Sequence, residues 1–482
     1  MELVMFPVLA IAATLFLLVL NQSIKALKTR FLPSPNLPPG SLGWPLIGET
    51  PAFFQASLEA KPEKFIRERM EKYDSRVFKT SLLGEPSIVF CGTAGHKFIF
   101  SNENKLVNLW WPSSIRKLFK SSLVNLVGDE AKRIRKMLMT FLSPDALKSF
   151  TERIDMVTQE HIRKHWDGKE EVTVHPTIKL FTFELTCYLF ASINDPVCIS
   201  KLITQFNLLL KGILSFPINI PGTRFYRAMK AANVIRTELK LIVRQRREAL
   251  EKKIVSPPQD LLSYLLVNAD TSGKFLSEIE IIDNILLLLF AGHDTSRSAL
   301  TLLMKYLAEM PQVYAKVLQE HLDIAKSKEQ GEFLHWEDVQ KMSYSWSVIS
   351  EVLRLSPPVT GAYRQSIADF TYEGYTIPKG WKLHVSIGST HKDPALFPNP
   401  ENFDASRFEG GSGAAPYSIV TFGGGPRMCI GYVFARLEML VFLHNIIRRF
   451  KWEVLMPQES FGYDPMLAPS HGFPLRLKPL QS

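Results

Sequence analysis

The segment Phe422-Gly-Gly-Gly-Pro-Arg-Met-Cys429-Ile-Gly431 sets one cysteine in a glycine loop directly ahead of a helical stretch, 431–449. A thiolate suits that position, because a helix N-terminus stabilises negative charge and its unpaired N–H groups can bond to sulfur. The glycines let the backbone pass close to a flat group, and Arg427 offers a cation to any acid that group carries. A second chemical cluster lies upstream, at Ala291-Gly-His-Asp-Thr-Ser296. Gly292 weakens a helix locally, and the Thr295 hydroxyl can bond back to the Ala291 carbonyl and bend it. An acid and a hydroxyl side by side in an apolar wall suit proton relay. Each cluster alone has a plainer explanation: a glycine turn with a buried cysteine, or a kink satisfied internally. Glu351 and Arg354, spaced i, i+3, would alone be a solvated contact worth under ~1 kcal/mol.

The elements that position these groups read as mostly helical. Residues 279–310 form the longest expected helix, opened by a capping box at Ser277 and Glu280 and stopped by Pro311. Its centre, ILLLLFAG, is apolar all round, as in a helix driven through a core. Helical patterning dominates 144–350. Residues 77–83 and 87–91 read as a hairpin turned at Gly84-Glu85-Pro86, with further β-like pieces at 370–377 and 382–387. A loop-rich region follows at 392–427.

The chain has 482 residues, a net charge of +10 and no tract that divides it, so one large helical domain is expected. The basic residues are scattered without a nucleic-acid motif, which excludes that class of partner. Cys91, Cys187, Cys198 and Cys429 form no CxxC pair, which fits a reducing compartment. Residues 3–20 are an uncharged apolar run followed by Lys25, Lys28 and Arg30, with Glu2 before it. That asymmetry predicts a single-pass anchor over 1–24 with its N-terminus in the lumen. Residues 25–40 read as a basic, Pro-rich hinge, and 41–482 as the catalytic domain, facing the cytosol.

The full pattern Phe-x-x-Gly-x-Arg-x-Cys-x-Gly, continued by Ala435, resembles the haem-binding loop of the cytochrome P450 superfamily. The resemblance implies that fold: mainly α with a small β region, and haem between a long buried distal helix and a proximal cysteine loop. It makes Cys429 the axial iron ligand of haem b, a ligation that favours O–O cleavage, with Phe422, Arg427 and Gly431 beside the cofactor. The upstream hexapeptide is similar to the family's oxygen-activation motif. Thr295 is then the relay hydroxyl, Asp294 its acidic partner, and Ala291 and Gly292 line the cofactor. Glu351, Arg354 and Arg407 (in Ala405-Ser-Arg-Phe408) resemble a buried structural network below the haem. Arg364, Arg135 and Lys132 resemble propionate contacts, although Ala131 stands where relatives often carry His or Trp.

Leu37-Pro-Pro-Gly40, Gly43-Trp-Pro-Leu-Ile-Gly-Glu-Thr50, Phe78-Lys-Thr-Ser-Leu-Leu-Gly84 and Pro217-Ile-Asn-Ile-Pro-Gly222 resemble the plant terpenoid-oxidising branch. The likeness implies oxidation of a pentacyclic triterpene (β-amyrin, α-amyrin or lupeol), most often at the C-28 methyl to alcohol, aldehyde and acid. Ring-carbon, dammarane and taxane hydroxylation stay open, as do a haem-thiolate isomerase or dehydratase and a non-catalytic haem or sterol carrier. Trp110, Trp111, Leu214, Phe290, Val359 and Ala362 are the candidate substrate wall, apolar as a lipid-derived ligand requires. No dinucleotide fingerprint is visible, so electrons come from outside. The family's donor is an NADPH-dependent reductase, for which Lys132, Arg133, Lys136 and Arg448 or Arg449 are candidate docking cations. The expected setting is a monomer in the endoplasmic reticulum membrane.

Overall fold

The computed structural model describes residues 36–254, 260–411 and 414–480. The expected anchor and most of the hinge lie outside them. Among the described residues no helix is long and apolar enough to cross a membrane. The chain divides into two compact units, and the division falls inside the stretch expected to be one domain.

The smaller unit, residues up to 110 and 360–390, is built on a five-stranded sheet. Its strands are β1 (Val77–Leu82), β2 (Glu85–Phe90), β3 (Val107–Leu109), β4 (Gly361–Ser366) and β5 (Lys382–Ser386), in the order β1-β2-β5-β4-β3. The expected hairpin forms with Leu82 opposite Glu85, its turn enabled by Gly84 at φ +75. β2 runs parallel to β5, and the other pairs are antiparallel. Phe78, Ile88, Val89 and Phe90 are fully buried, which fixes the register. Gly361 must be glycine, because a Cβ there would meet His384 Nε2 at 2.1 Å. The 370–377 piece is a separate small hairpin, Phe370–Tyr372 with Tyr375–Ile377.

The larger unit, residues 111–359 and 391 onward, is helical. Six helices carry the argument: α1 (Gly128–Phe141), α2 (Thr151–His165), α3 (Val174–Ala191), α4 (Glu278–Glu309), α5 (Ser343–Leu355) and α6 (Tyr432–Ile447). α4 has 32 residues. Its capping box is formed, with Glu280 N–H donating to Ser277 Oγ at 3.3 Å and Ser277 N–H to Glu280 Oε2 at 2.8 Å. Pro311 opens the next helix, Pro311–Lys326. α3 packs along α4, where Thr182 Oγ1 donates to the His293 carbonyl at 2.9 Å. Short strands near the C-terminus escaped the sequence reading. Pro474–Pro479 pairs with both Glu171–Thr173 and Phe450–Val454. Strands this short, joined across some 300 residues, leave no local period to read.

Candidate active site

Cys429 sits where the glycine loop meets α6. Its N–H donates to the Phe422 carbonyl at 2.8 Å, and Gly423 and Gly425 take φ of +75 and +62 to make that closure. Gly431 caps the helix, and a Cβ on it would lie 3.8 Å from Cys429 Sγ, so its being glycine leaves the sulfur's flank open. Cys91 and Cys187 are buried, whereas Cys429 keeps accessible surface. Desolvation pushes the Cys429 thiol above its ordinary range, against the pull of the Gly431 N–H and then of Arg135. A coordinated metal cation reverses that balance and takes the thiol as thiolate. Arg135 donates to the Met428 carbonyl, next to Cys429, and Arg427 Nη2 donates to the Leu126 carbonyl at 2.7 Å. The Phe422 ring meets Tyr432 edge-on at 4.9 Å.

On α4, Thr295 Oγ1 donates to the Ala291 carbonyl at 2.8 Å. Ala291 is exposed between half-buried Phe290 and Gly292, in a helix where Leu288, Leu289, His293 and Asp294 are buried. Gly292 has a packing reason to be glycine, since a Cβ would reach Thr186 Cγ2 on α3 at 2.8 Å and Phe434 on α6 at 3.9 Å. Asp294 is fully buried and pairs with Arg297 at 2.5 Å. His293 lies 4.0 Å from Asp294, but burial lowers its pKa to about 4, so it is neutral and that contact is no salt bridge. Burial and then Arg297 bring Lys179 on α3 down to about 8, while His175 falls to about 3. α6 adds Glu438, fully enclosed, which burial raises to about 8 against the opposing Ser296 hydroxyl. It is therefore a neutral acid at pH 7. The sequence reading missed Arg297, Lys179 and Glu438. An acid inside the apolar run of α6, and a cation at i+3 from Asp294, were the available signals.

The three candidate pins meet. Glu351 and Arg354 form a two-pronged pair, both bonds 2.7 Å, with neither side chain exposed. Arg354 also donates to the carbonyls of His391 and Pro400 at 2.8 Å and of Asn402 at 3.3 Å. Glu351 Oε1 accepts the Asp404 N–H at 2.9 Å and lies 3.5 Å from Arg407 Nε.

Other candidates are placed differently. Arg364 lies in the smaller unit, buried, with Nε 2.5 Å from Glu103. Lys132 is exposed and paired with Asp129 at 2.8 Å. Arg133 is committed to Glu130 (2.6 Å), Glu280 (2.9 Å) and Asp270 (3.3 Å), which leaves no free guanidinium edge for docking. Lys136 is exposed, Arg448 donates to the His444 carbonyl at 3.1 Å, and Arg449 pairs with Asp167 at 3.1 Å. Trp110 and Ala362 belong to the smaller unit, and Trp111, Leu214, Phe290 and Val359 to the larger. The Phe290 ring lies 5.1 Å from that of Phe119, tilted by 34°. Leu214 stands on an exposed apolar run with Phe216, Ile218 and Ile220.

The donor set fits an iron porphyrin: one accessible sulfur at a helix N-terminus, flanking glycines, nearby arginines, and a polar turn on the core helix. A family model described as "Cytochrome P450" matches residues 38–468. The chain is 50% identical to a β-amyrin 28-monooxygenase of Vitis vinifera, over 99% of this chain and 98% of that protein. It is 51% identical to a β-amyrin 28-monooxygenase of Solanum lycopersicum, over 92% of this chain and 93% of that one. A protopanaxadiol 6-hydroxylase of Panax ginseng is 47% identical, over 92% and 93%. Among solved structures, retinoic acid-bound cyanobacterial CYP120A1 superposes with a TM-score of 0.83 at 33% identity, covering 93% of this chain and all of that one.

Proposed function

The chain belongs to the cytochrome P450 family, and on that premise we propose that it oxidises a pentacyclic triterpene such as β-amyrin at the C-28 methyl, in successive rounds to alcohol, aldehyde and acid. As a family member it is a haem-thiolate monooxygenase that carries haem b, consumes O2 and draws NADPH-derived electrons through a reductase. The haem, when bound, supplies the iron at which O2 is cleaved, one oxygen atom entering the substrate and the other leaving as water. Each round consumes two protons and two electrons. In this reading Cys429 would ligate the iron, Arg135 and Arg427 would neutralise the cofactor's acids, and Asp294 would pass protons inward through Thr295. Glu351, Arg354 and Arg407 hold the loop that precedes the ligand.

The observation that carries this reading is the accessible Cys429 sulfur between the Gly431 N–H and Arg135. Cys429→Ser should abolish the carbon-monoxide-shifted Soret band. Co-expression with a reductase in yeast that makes β-amyrin, followed by mass spectrometry, should give the C-28 acid. A ring-hydroxylated product would favour the second reading, which the Panax 6-hydroxylase supports.

The reading also includes a monomer held in the endoplasmic reticulum membrane by residues 1–24, with 41–482 acting as one cytosolic catalytic domain. The reductase docks on the exposed groove of α1 lined by Lys132, Lys136 and Met139. Lys132→Glu with Lys136→Glu should slow reduction and leave substrate binding intact. Unchanged reduction kinetics would reject this face.

A further inference from the structure

We propose that His161, His165 and Glu184 form a binding site for a divalent transition metal of zinc-like preference, clipping α2 to α3. His161 and His165 are spaced i, i+4 and share one face of α2, while Glu184 reaches them from α3. One nitrogen of each ring and one carboxylate oxygen lie within 4.8 Å of one another. His161 Nδ1 is already 2.9 Å from Glu184 Oε2, and the two rings lie 4.6 Å apart, tilted by 32°. Zinc bonds of ~2.0–2.1 Å in a tetrahedron need donors about 3.3 Å apart, so small side-chain rotations close the set. Two imidazoles and a carboxylate suit zinc or its neighbours, whereas magnesium and calcium call for oxygen ligands.

His161 is buried with its Nδ1 turned to Glu184, while its Nε2 has no hydrogen-bond partner among the described residues. His165 and Glu184 are half-buried, which leaves a route for an ion and room for water as a fourth ligand. Lys164 and Lys169 lie close enough to oppose a cation. The lone His161 nitrogen also lacks the outer-shell partner that ordinarily strengthens such sites by about 10–100-fold, so binding should be correspondingly weaker. The site lies on the face of α3 turned to α2, where Phe181 meets His161 at 5.4 Å. Thr182 and Thr186 point the other way, toward α4. Metal should therefore change stability and leave the Asp294 turn alone.

The test is calorimetric titration of ZnCl2 into untagged, chelator-treated holoenzyme, with thermal unfolding in parallel. One equivalent should bind and raise Tm. His165→Gln and Glu184→Gln, both at half-buried positions, should each weaken binding at least tenfold and remove the Tm rise, with haem content and the carbon-monoxide spectrum unchanged. Equal affinity in all three proteins, or no binding by 1 mM zinc, would overturn the proposal.

Discussion

Glu351–Arg354 and Asp294–Arg297 are the same sequence pattern, an acid and an arginine at i, i+3, both inside the larger unit. Their surroundings differ. Arg354 spends its guanidinium on Glu351 and three backbone carbonyls, and Glu351 also takes the Asp404 N–H. Asp294 has the 2.5 Å ion contact, but neither of its oxygens nor Arg297 Nε makes a well-directed hydrogen bond among the described residues. A saturated buried pair has one geometry and locks the chain around it. An under-saturated one retains lone pairs and N–H groups for water, and that is what proton traffic requires. On the proposed reading the first pair is an anchor and the second a conduit.

Breaking the anchor should have the largest effect. Arg354→Ala leaves Glu351 buried without its cation, a loss of about 3–5 kcal/mol, and the variant should fail to accumulate as haem-loaded protein in a carbon-monoxide difference spectrum. Asp294→Asn should leave that spectrum intact and lower kcat by about 10²-fold, the usual share of a positioned acid. If Asp294→Asn instead abolished haem loading, the pair would be a second anchor. Thr295→Ala keeps the helix and removes the hydroxyl on Ala291, so NADPH consumption should continue while peroxide replaces product, measured as their ratio. Normal coupling would move the relay elsewhere.

Glu438 gives the most specific signal, read as a pH slope. Its native pKa of about 8 exceeds the ordinary value of 4.5, so the unfolded chain ionises first as pH rises. Between those values the native state holds the extra proton, and stability falls with rising pH by up to about 1.4 kcal/mol per unit from this group. Glu438→Gln should flatten that slope, read from unfolding midpoints at pH 5, 6.5 and 8. An unchanged slope would show that the carboxyl is ionised and paired.

The cysteine loop was legible because its chemistry is contiguous: glycines, arginine, sulfur and helix start fall within ten residues. α4 was legible as well, since a capping box and a proline bound a long apolar run. The two i, i+3 pairs could not be ranked by sequence, because what separates them is backbone carbonyls delivered by residues 391–402. Arg133, expected as a docking cation, and Arg135, expected at a propionate, likewise depend on distant partners. One turned out to be committed to three carboxylates and the other to the Met428 carbonyl. The C-terminal strands and Glu438 needed partners from distant segments, and the smaller unit's sheet likewise gained β3 and β4 only through long-range pairing.

Those two arginines of α1 have a mechanical consequence. Arg133 holds Glu280 in the first turn of the helix that bears Asp294, and two residues later Arg135 holds the backbone next to Cys429. On the proposed reading, a single short rod thus ties the start of the oxygen-side helix to the loop that bears the sulfur. Any change that tilts α1 should alter both faces together, so its buried residues Ile134 and Leu138 belong to the calibration of that tie even though they touch neither side's chemistry.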